Sequence, residues 1–232
     1  MQKIFSAQQV KHLDKVTIDK EHIRSDQLME RAAHQFVDAL APTLLDSQQI
    51  IIVAGSGNNG GDALAIARLL LDKGIQSTVY FFRFSTISPD CQLNLDRLKQ
   101  YKDAKIIDFV ENFDLPSFQG YVIDGLFGSG LNRPVDGYFA EVIHKINQEA
   151  ISIVSIDIPS GFFADKLTES THINSADVIT FDSPKLSFLF PESQTAIRSF
   201  RVVDINLDAE SKAQVATDHY YITDQGLSLI HI

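Results

Sequence analysis

The chain of 232 residues has a single cysteine, no tryptophan and only two methionines. One cysteine, Cys91, excludes an internal disulfide framework and a cysteine-built zinc site. It reads as a surface or half-buried thiol. Positive charge is also scarce: 20 Lys and Arg face 30 Asp and Glu, for a net charge of −10. That balance argues against non-specific nucleic-acid binding and against docking to anionic membranes, both of which need a basic face. No apolar run approaches the roughly 18 residues of a spanning helix. The start, where Lys3 is followed by Phe5-Ser6-Ala7-Gln8, has no apolar core of a signal peptide. A cytoplasmic location is expected, with no nucleic-acid or membrane partner. The seven histidines are scattered without metal-ligand spacing. No serine occupies a G-x-S-x-G elbow, and Ser129 has no evident histidine partner, so a hydrolase triad is not expected.

What remains is an ordinary globular composition, with 44% hydrophobic residues and a mean hydropathy of −0.01. At this length one α/β domain spanning 1–232 is expected, with N-terminal helices over 1–48 and an α/β core with C-terminal strands over 49–232. Ser6 caps a polar helix Ala7–Lys20 carrying Val10, Leu13, Val16 and Thr17 on one face. Ser25-Asp26 caps a second helix, with an apolar stripe at Leu28, Met29, Ala32, Ala33, Phe36, Val37 and Leu40. Alternating units follow. Strands are expected at Ile50–Ala54, Ser77–Phe82, Ala104–Ile107, Tyr121–Gly125, Ile151–Ile156, Val178–Phe181, Phe200–Val203 and Tyr220–Thr223. Helices are expected at Gly61–Lys73, Pro89–Tyr101 and Gly137–Asn147. Strands spaced by helical patterns predict a mainly parallel sheet covered on both faces.

The stretch 50–62, IIIVAGSGNNGGD, carries the strongest chemical signal. A buried strand runs into a glycine-rich turn and then a helix start, which offers unpaired N–H groups and a helix dipole to an anion. G-S-G-N-N-G fits the dinucleotide spacing G-x-G-x-x-G, but Phe81, Phe82 and Arg83 stand where its acidic ribose ligand is expected. No Gly-Lys-Ser/Thr follows, so it is not a Walker loop. Asp62 is expected in the first helical turn. Two further strands end in polar residues: Asp124 opens Asp124–Pro134, and Asp157 opens Asp157-Ile158-Pro159-Ser160-Gly161. A carboxylate closing an apolar strand is costly unless it is paired, hydrogen-bonded or bound to a cation. In a parallel sheet all three loops lie at the carboxyl edge, where ligands bind. The oxygens on offer, from Asn amides, Asp carboxylates and a Ser hydroxyl, suit a hard cation rather than zinc. Lys185, in Asp182-Ser183-Pro184-Lys185, either approaches the same edge or is a solvated turn lysine.

Three segments in register, GSGNNGGDALAIARLL (55–70), VIDGLFGSGLNRPV (122–135) and SIDIPSG (155–161), resemble the NAD(P)H-hydrate epimerase family, also called the YjeF N-terminal domain. LMERAA (28–33) and SPK (183–185) match as well, so the resemblance runs over nearly the whole chain. It implies a Rossmann-like three-layer α/β sandwich, usually a homodimer. The implied reaction interconverts the R and S forms of hydrated NADH and NADPH (NADHX and NADPHX) for an ADP- or ATP-dependent dehydratase. That dehydratase is either a separate protein or fused behind this domain, and the segment 220–232 resembles the start of such a linker. Asn58, Asn59, Gly60, Gly61 and Asp62 would hold the ligand. Gly128, Ser129, Gly130, Leu131, Asn132, Arg133 and Pro134 would wrap it, and Asp157 would meet its reacting end. Asn59, Asp124 and Ser160 would coordinate potassium. Asp157 is the expected acid/base group, because epimerisation at a carbon bearing OH and ring nitrogen needs a proton donor and acceptor. Two departures stand out. Ala63 replaces a frequent Gly, and Leu131-Asn132-Arg133 leaves no lysine in that loop for a catalytic role. The alternative reading is a non-catalytic dinucleotide-binding or protein-interaction module of the same fold. A dinucleotide-dependent oxidoreductase lacks its ribose-binding acid.

Overall fold

The structure, a computed structural model, describes residues 1–44, 49–83, 86–110 and 114–222. Its strands are β1 (Gln2–Lys3), β2 (Ile50–Ala54), β3 (Thr78–Phe82), β4 (Lys105–Phe109), β5 (Tyr121–Gly125), β6 (Ser152–Ile156), β7 (Ser175–Phe181), β8 (Ile197–Val203) and β9 (Tyr220–Tyr221). Its helices are α1 (Ala7–Glu21), α2 (Ser25–Leu40), α3 (Asn58–Asp72), α4 (Pro89–Leu98), α5 (Gly137–Glu149) and α6 (Ala209–Gln214). Seven strands form one sheet in the order β4-β3-β2-β5-β6-β7-β8, every neighbouring pair parallel.

The layers follow from side-chain alternation along strands buried on both sides. On one face Ile50, Ile52 and Ala54 of β2 pack with Leu64 and Ile66 of α3, Phe36 and Val37 of α2, and Leu95 of α4. On the other, Ile51 and Val53 pack with Val142, Ile143 and Ile146 of α5. The chain is therefore the three-layer α/β sandwich expected.

Several details differ from the sequence reading. β9 falls within the strand expected at Tyr220–Thr223, but its antiparallel partner β1, which joins Gln2 to Tyr221 and Lys3 to Tyr220, is too short for any periodicity to announce. β7 and β8 start three residues earlier than expected. The cap of α2 is Arg24, whose N–H donates to Gln27 Oε1 at 2.9 Å, so Ser25 and Asp26 are already inside the helix. Cys91 is fully buried, and desolvation pushes its thiol up to about 12. The stripe Leu28, Met29, Ala32, Phe36 and Val37 is buried within the chain's own core, so it offers no free apolar face for a second copy. The expected linker-like segment from Thr223 onward lies outside the described residues.

Candidate functional site

Strand order decides where ligands can bind. From β2 the chain moves outward to β3 and β4, and then returns to lay β5 against the other side of β2. The two halves wind away from the β2/β5 boundary, so the loops leaving these two strands part and open a crevice at their carboxyl ends. All three loops singled out in the sequence meet here. Gly55 N–H donates to Gly125 O at 3.2 Å, and Asn59 Nδ2 donates to Phe127 O at 2.8 Å.

The first loop is tighter than its sequence suggests. α3 begins at Asn58, with Gly57 as its cap, so the asparagine pair and both following glycines are helical and Asp62 lies past the first turn. Gly61 N–H already donates to Gly57 O at 3.1 Å. The N–H groups left without a helical partner are those of Asn58, Asn59 and Gly60. Glycine is needed at 60 for space: a Cβ there would stand 1.8 Å from Gly55 O. The helix start is thus pressed directly onto the strand end.

Asp124, wholly buried, ties the ends of β5 and β6 together. Oδ1 accepts from Ser160 Oγ (2.5 Å) and Leu126 N (3.3 Å); Oδ2 accepts from Ser160 N (2.8 Å) and Ser155 Oγ (2.9 Å). Burial raises its carboxyl above the usual range, opposed by those bonds from Ser160, Ser155 and Leu126. Every one of these partners is neutral, so an ionised Asp124 has no counter-charge among them. Ser160 Oγ in turn accepts from Phe127 N at 2.8 Å and lies 3.2 Å from Phe127 O. Asn59, Asp124 and Ser160 therefore sit in one oxygen-rich knot around a buried carboxylate. That donor set fits a hard monovalent cation. No group of three or more His, Cys, Asp or Glu that could hold a metal occurs among the described residues.

Asp157 follows β6 directly, in the left-handed conformation with φ of 63°. Such a backbone is uncommon outside glycine and costs about 1–2 kcal/mol. It is held by its own N–H, which donates to Ile179 O at 2.8 Å. Its Oδ1 accepts from Lys185 Nζ (2.6 Å), Phe181 N (3.0 Å) and Thr180 Oγ1 (3.1 Å). Lys185 is only 2% exposed. It is therefore no solvated turn lysine; its ammonium is committed to Asp157. Sequence spacing left this open because the pairing crosses from the turn after β7 to the turn after β6.

A cavity of about 870 Å³ lies over these strand ends, within the usual range for small-molecule sites. Asn58, Asn59, Asp62, Gly128, Ser129, Gly130, Leu131, Arg133, Asp157 and Lys185 line it. Of the expected ligand-holding residues, Gly60, Gly61, Asn132 and Pro134 do not. Asp124 and Ser160 lie beneath it, in the buried knot. The helical side is formed by Val10, Asp14 and Ile18 of α1 with Leu28, Met29 and Ala32 of α2. Asp62 is raised well above the ordinary carboxylate range, first by burial and then by Asp157, Asp14 and Asp90. Asp14 was missed by the sequence reading. Its signal was available: an acid between Val10 and Ile18, at i and i+4 steps along one helical face.

Against known proteins, the family model described as YjeF-related protein N-terminus matches residues 25–187. A protein named NAD(P)H-hydrate epimerase from Weissella koreensis is 32% identical over 207 residues, covering 87% of this chain and 90% of the relative. Proteins of the same name from Oenococcus oeni (32% over 209 residues, 87% and 96%) and Lentilactobacillus buchneri (33% over 211 residues, 89% and 96%) match similarly. The crystal structure of the yeast protein YNL200c shares the fold, with a TM-score of 0.70 and 22% identity over 86% of this chain and 88% of that one.

Proposed function

The chain belongs to the family of YjeF-related N-terminal proteins, and we propose that it is an isomerase that interconverts the R and S forms of hydrated NADH and NADPH. The observation that carries this is the convergence of the three motif-bearing loops on one cavity at the sheet's switch point. The relatives of that name match this chain over most of both lengths. The free N–H groups of Asn58 and Asn59 at the start of α3 suit the ligand's pyrophosphate. Ser129, Leu131 and Arg133 close over it from the β5 loop. Asp157 addresses the hydrated ring. Three donors hold its Oδ1; none of these bonds engages Oδ2, which is left to exchange a proton. Incubating (R)-NADHX with the protein, followed by proton NMR or chiral chromatography, should show faster appearance of the S epimer. An unchanged rate with folded protein and potassium present overturns the reading.

Asn59, Asp124 and Ser160 would hold potassium, which would supply a fixed positive charge against the buried Asp124 carboxylate. Asp124 is thereby occupied as a ligand and anchor, which leaves proton transfer to Asp157. A cation that binds only the folded chain raises stability by mass action; at about tenfold its dissociation constant the gain is about 1.4 kcal/mol. Melting in potassium should therefore exceed melting in a bulky organic cation at matched ionic strength. Equal melting temperatures would remove the specific ion.

An ADP- or ATP-dependent dehydratase is the expected consumer of the S epimer. A homodimer rests on the family resemblance alone, since the α2 stripe is already covered. No helix among the described residues is long and apolar enough to cross a membrane.

A further inference from the structure

We propose that Asp14 is a second acid/base residue of this cavity, one that protonates the departing hydroxyl of the hydrated ring while Asp157 serves the incoming water. The inference rests on the epimerase reading. It starts from placement. Asp14 lies on α1 between Val10 and Ile18, and all three line the cavity from the helical side, whereas Asp157 comes from the strand ends. No hydrogen bond or ion pair engages the Asp14 carboxyl among the described residues. Asp157, by contrast, has its Oδ1 saturated by Lys185, Phe181 and Thr180. One carboxyl is tied and supplied with a cation; the other is free and faces the same space.

The surroundings divide the two further. Asp14 is raised to about 6, first by burial and then by Asp157 and Asp182, with Lys185 opposing. The charged groups around it are Asp157, Asp182 and Lys185 from the strand-end side, Asp62 on α3, and Lys11 and Lys15 on its own helix; Asp90 and Arg133 also line the cavity. A carboxyl raised to about 6, and so able to give and regain a proton near neutral pH, beside an ion-paired carboxylate is the pattern of a separated acid and base.

The balance of the step is simple. Asp14 gives its proton to the hydroxyl oxygen, the C–O bond breaks and its electron pair leaves with water. The ring-nitrogen lone pair forms a C=N⁺ bond. A water then attacks the other face of that carbon, its proton passes to Asp157, and the electron pair returns to nitrogen. One water leaves and one enters; the two carboxyls reset by exchange with solvent.

The test is Asp14→Asn, with Asp14→Glu as the conservative control, both assayed on NADHX from pH 5 to 9. For the wild type, the rate should fall as pH rises through the Asp14 titration, because the acid must be protonated. Asp14→Asn should lose about 10²–10⁴-fold in kcat, keep its affinity for NADHX, and no longer show that fall. Asp14→Glu should restore part of the rate and the pH limb. Folding is not at risk: a carboxyl raised in the folded state contributes stability below its unfolded value and loses it as pH rises through about 6. The neutral amide should therefore melt no lower than wild type at pH 7.5. An active wild type with an unchanged Asp14→Asn rate and profile overturns the role of Asp14 alone. So does a loss of rate that accompanies a fallen melting temperature, since that marks a structural residue. A wild type that does not epimerise NADHX overturns the functional reading, and Asp14 with it.

Discussion

Asp157→Asn should lower the epimerisation rate by about 10²–10⁴-fold while leaving ligand affinity within a few-fold of wild type. The amide keeps the size of the side chain and can still accept from Phe181 N and Thr180 Oγ1. What it loses is the exchangeable proton and the charge that faces Lys185 across 2.6 Å. Lys185 is almost wholly buried, so the substitution also strands an ammonium, a change that costs about 3–5 kcal/mol when a buried pair is broken. Rates must therefore be compared on folded protein, with melting temperature measured alongside. Lys185→Met separates the two effects. It leaves the Asp157 carboxylate in place but without its cation, so it should lose stability yet retain more activity than Asp157→Asn. Near-normal epimerisation by folded Asp157→Asn would make Asp157 a positioning residue and shift proton transfer to the rest of the cavity.

The second large effect is structural. Gly60→Ala should destabilise the fold by more than about 3 kcal/mol. The added Cβ runs into the backbone of Gly55: O at 1.8 Å, C at 2.6 Å and N at 2.9 Å. Backbone cannot rotate away as a side chain can. Relief requires the start of α3 to lift off the end of β2, which pulls Asn59 away from Phe127 O. Denaturant unfolding should show a lower midpoint with an unchanged slope. A variant that unfolds like the wild type would mean that this close approach is not needed. Gly57→Ala is the control: its Cβ meets nothing within 4 Å, so it should change stability far less.

The sequence made the architecture legible because strands buried on both sides read as apolar runs, and helices between them read as stripes. The residues at strand ends were legible too, since Asp124 and Asp157 place a charge in runs that otherwise carry none. Three things were not legible, and the reasons are physical. Strand order depends on which crossovers pack where, so nothing local announced that β2 and β5 are neighbours and that the crevice opens between them. The helix start was misplaced by three residues because glycines carry a low helix propensity; here close packing against Gly55 overrides it. Lys185 and Asp14 reach the cavity through contacts between segments far apart in sequence. Lys185 follows a proline turn, like many solvated lysines. Asp14 sits in a helix that otherwise reads as polar, which hides a single inward-facing acid.

The turn after β7 repeats the geometry of the turn after β6, and the two turns draw distant parts of the chain together. Asp157 at φ 63° is paired with Lys185, and Asp182 at φ 61° is paired in the same way with Lys212 of α6. The same late stretch grips the first helix: Asp208 N–H donates to Thr17 Oγ1 (2.9 Å), Lys20 bonds Asp208 (2.8 Å), and Lys3 Nζ is held by the carbonyls of Lys212, Ala213 and Val215. These contacts join late segments of the chain to early ones around the cavity. Its ionic pair needs Lys185, and the helical wall that carries Asp14 is held by Asp165, which accepts from Ala7 N–H, by the Glu21–Arg31 pair, and by Asp208, which bonds Thr17 and Lys20. Early and late segments thus close the cavity together, so loosening either one frees its helical wall.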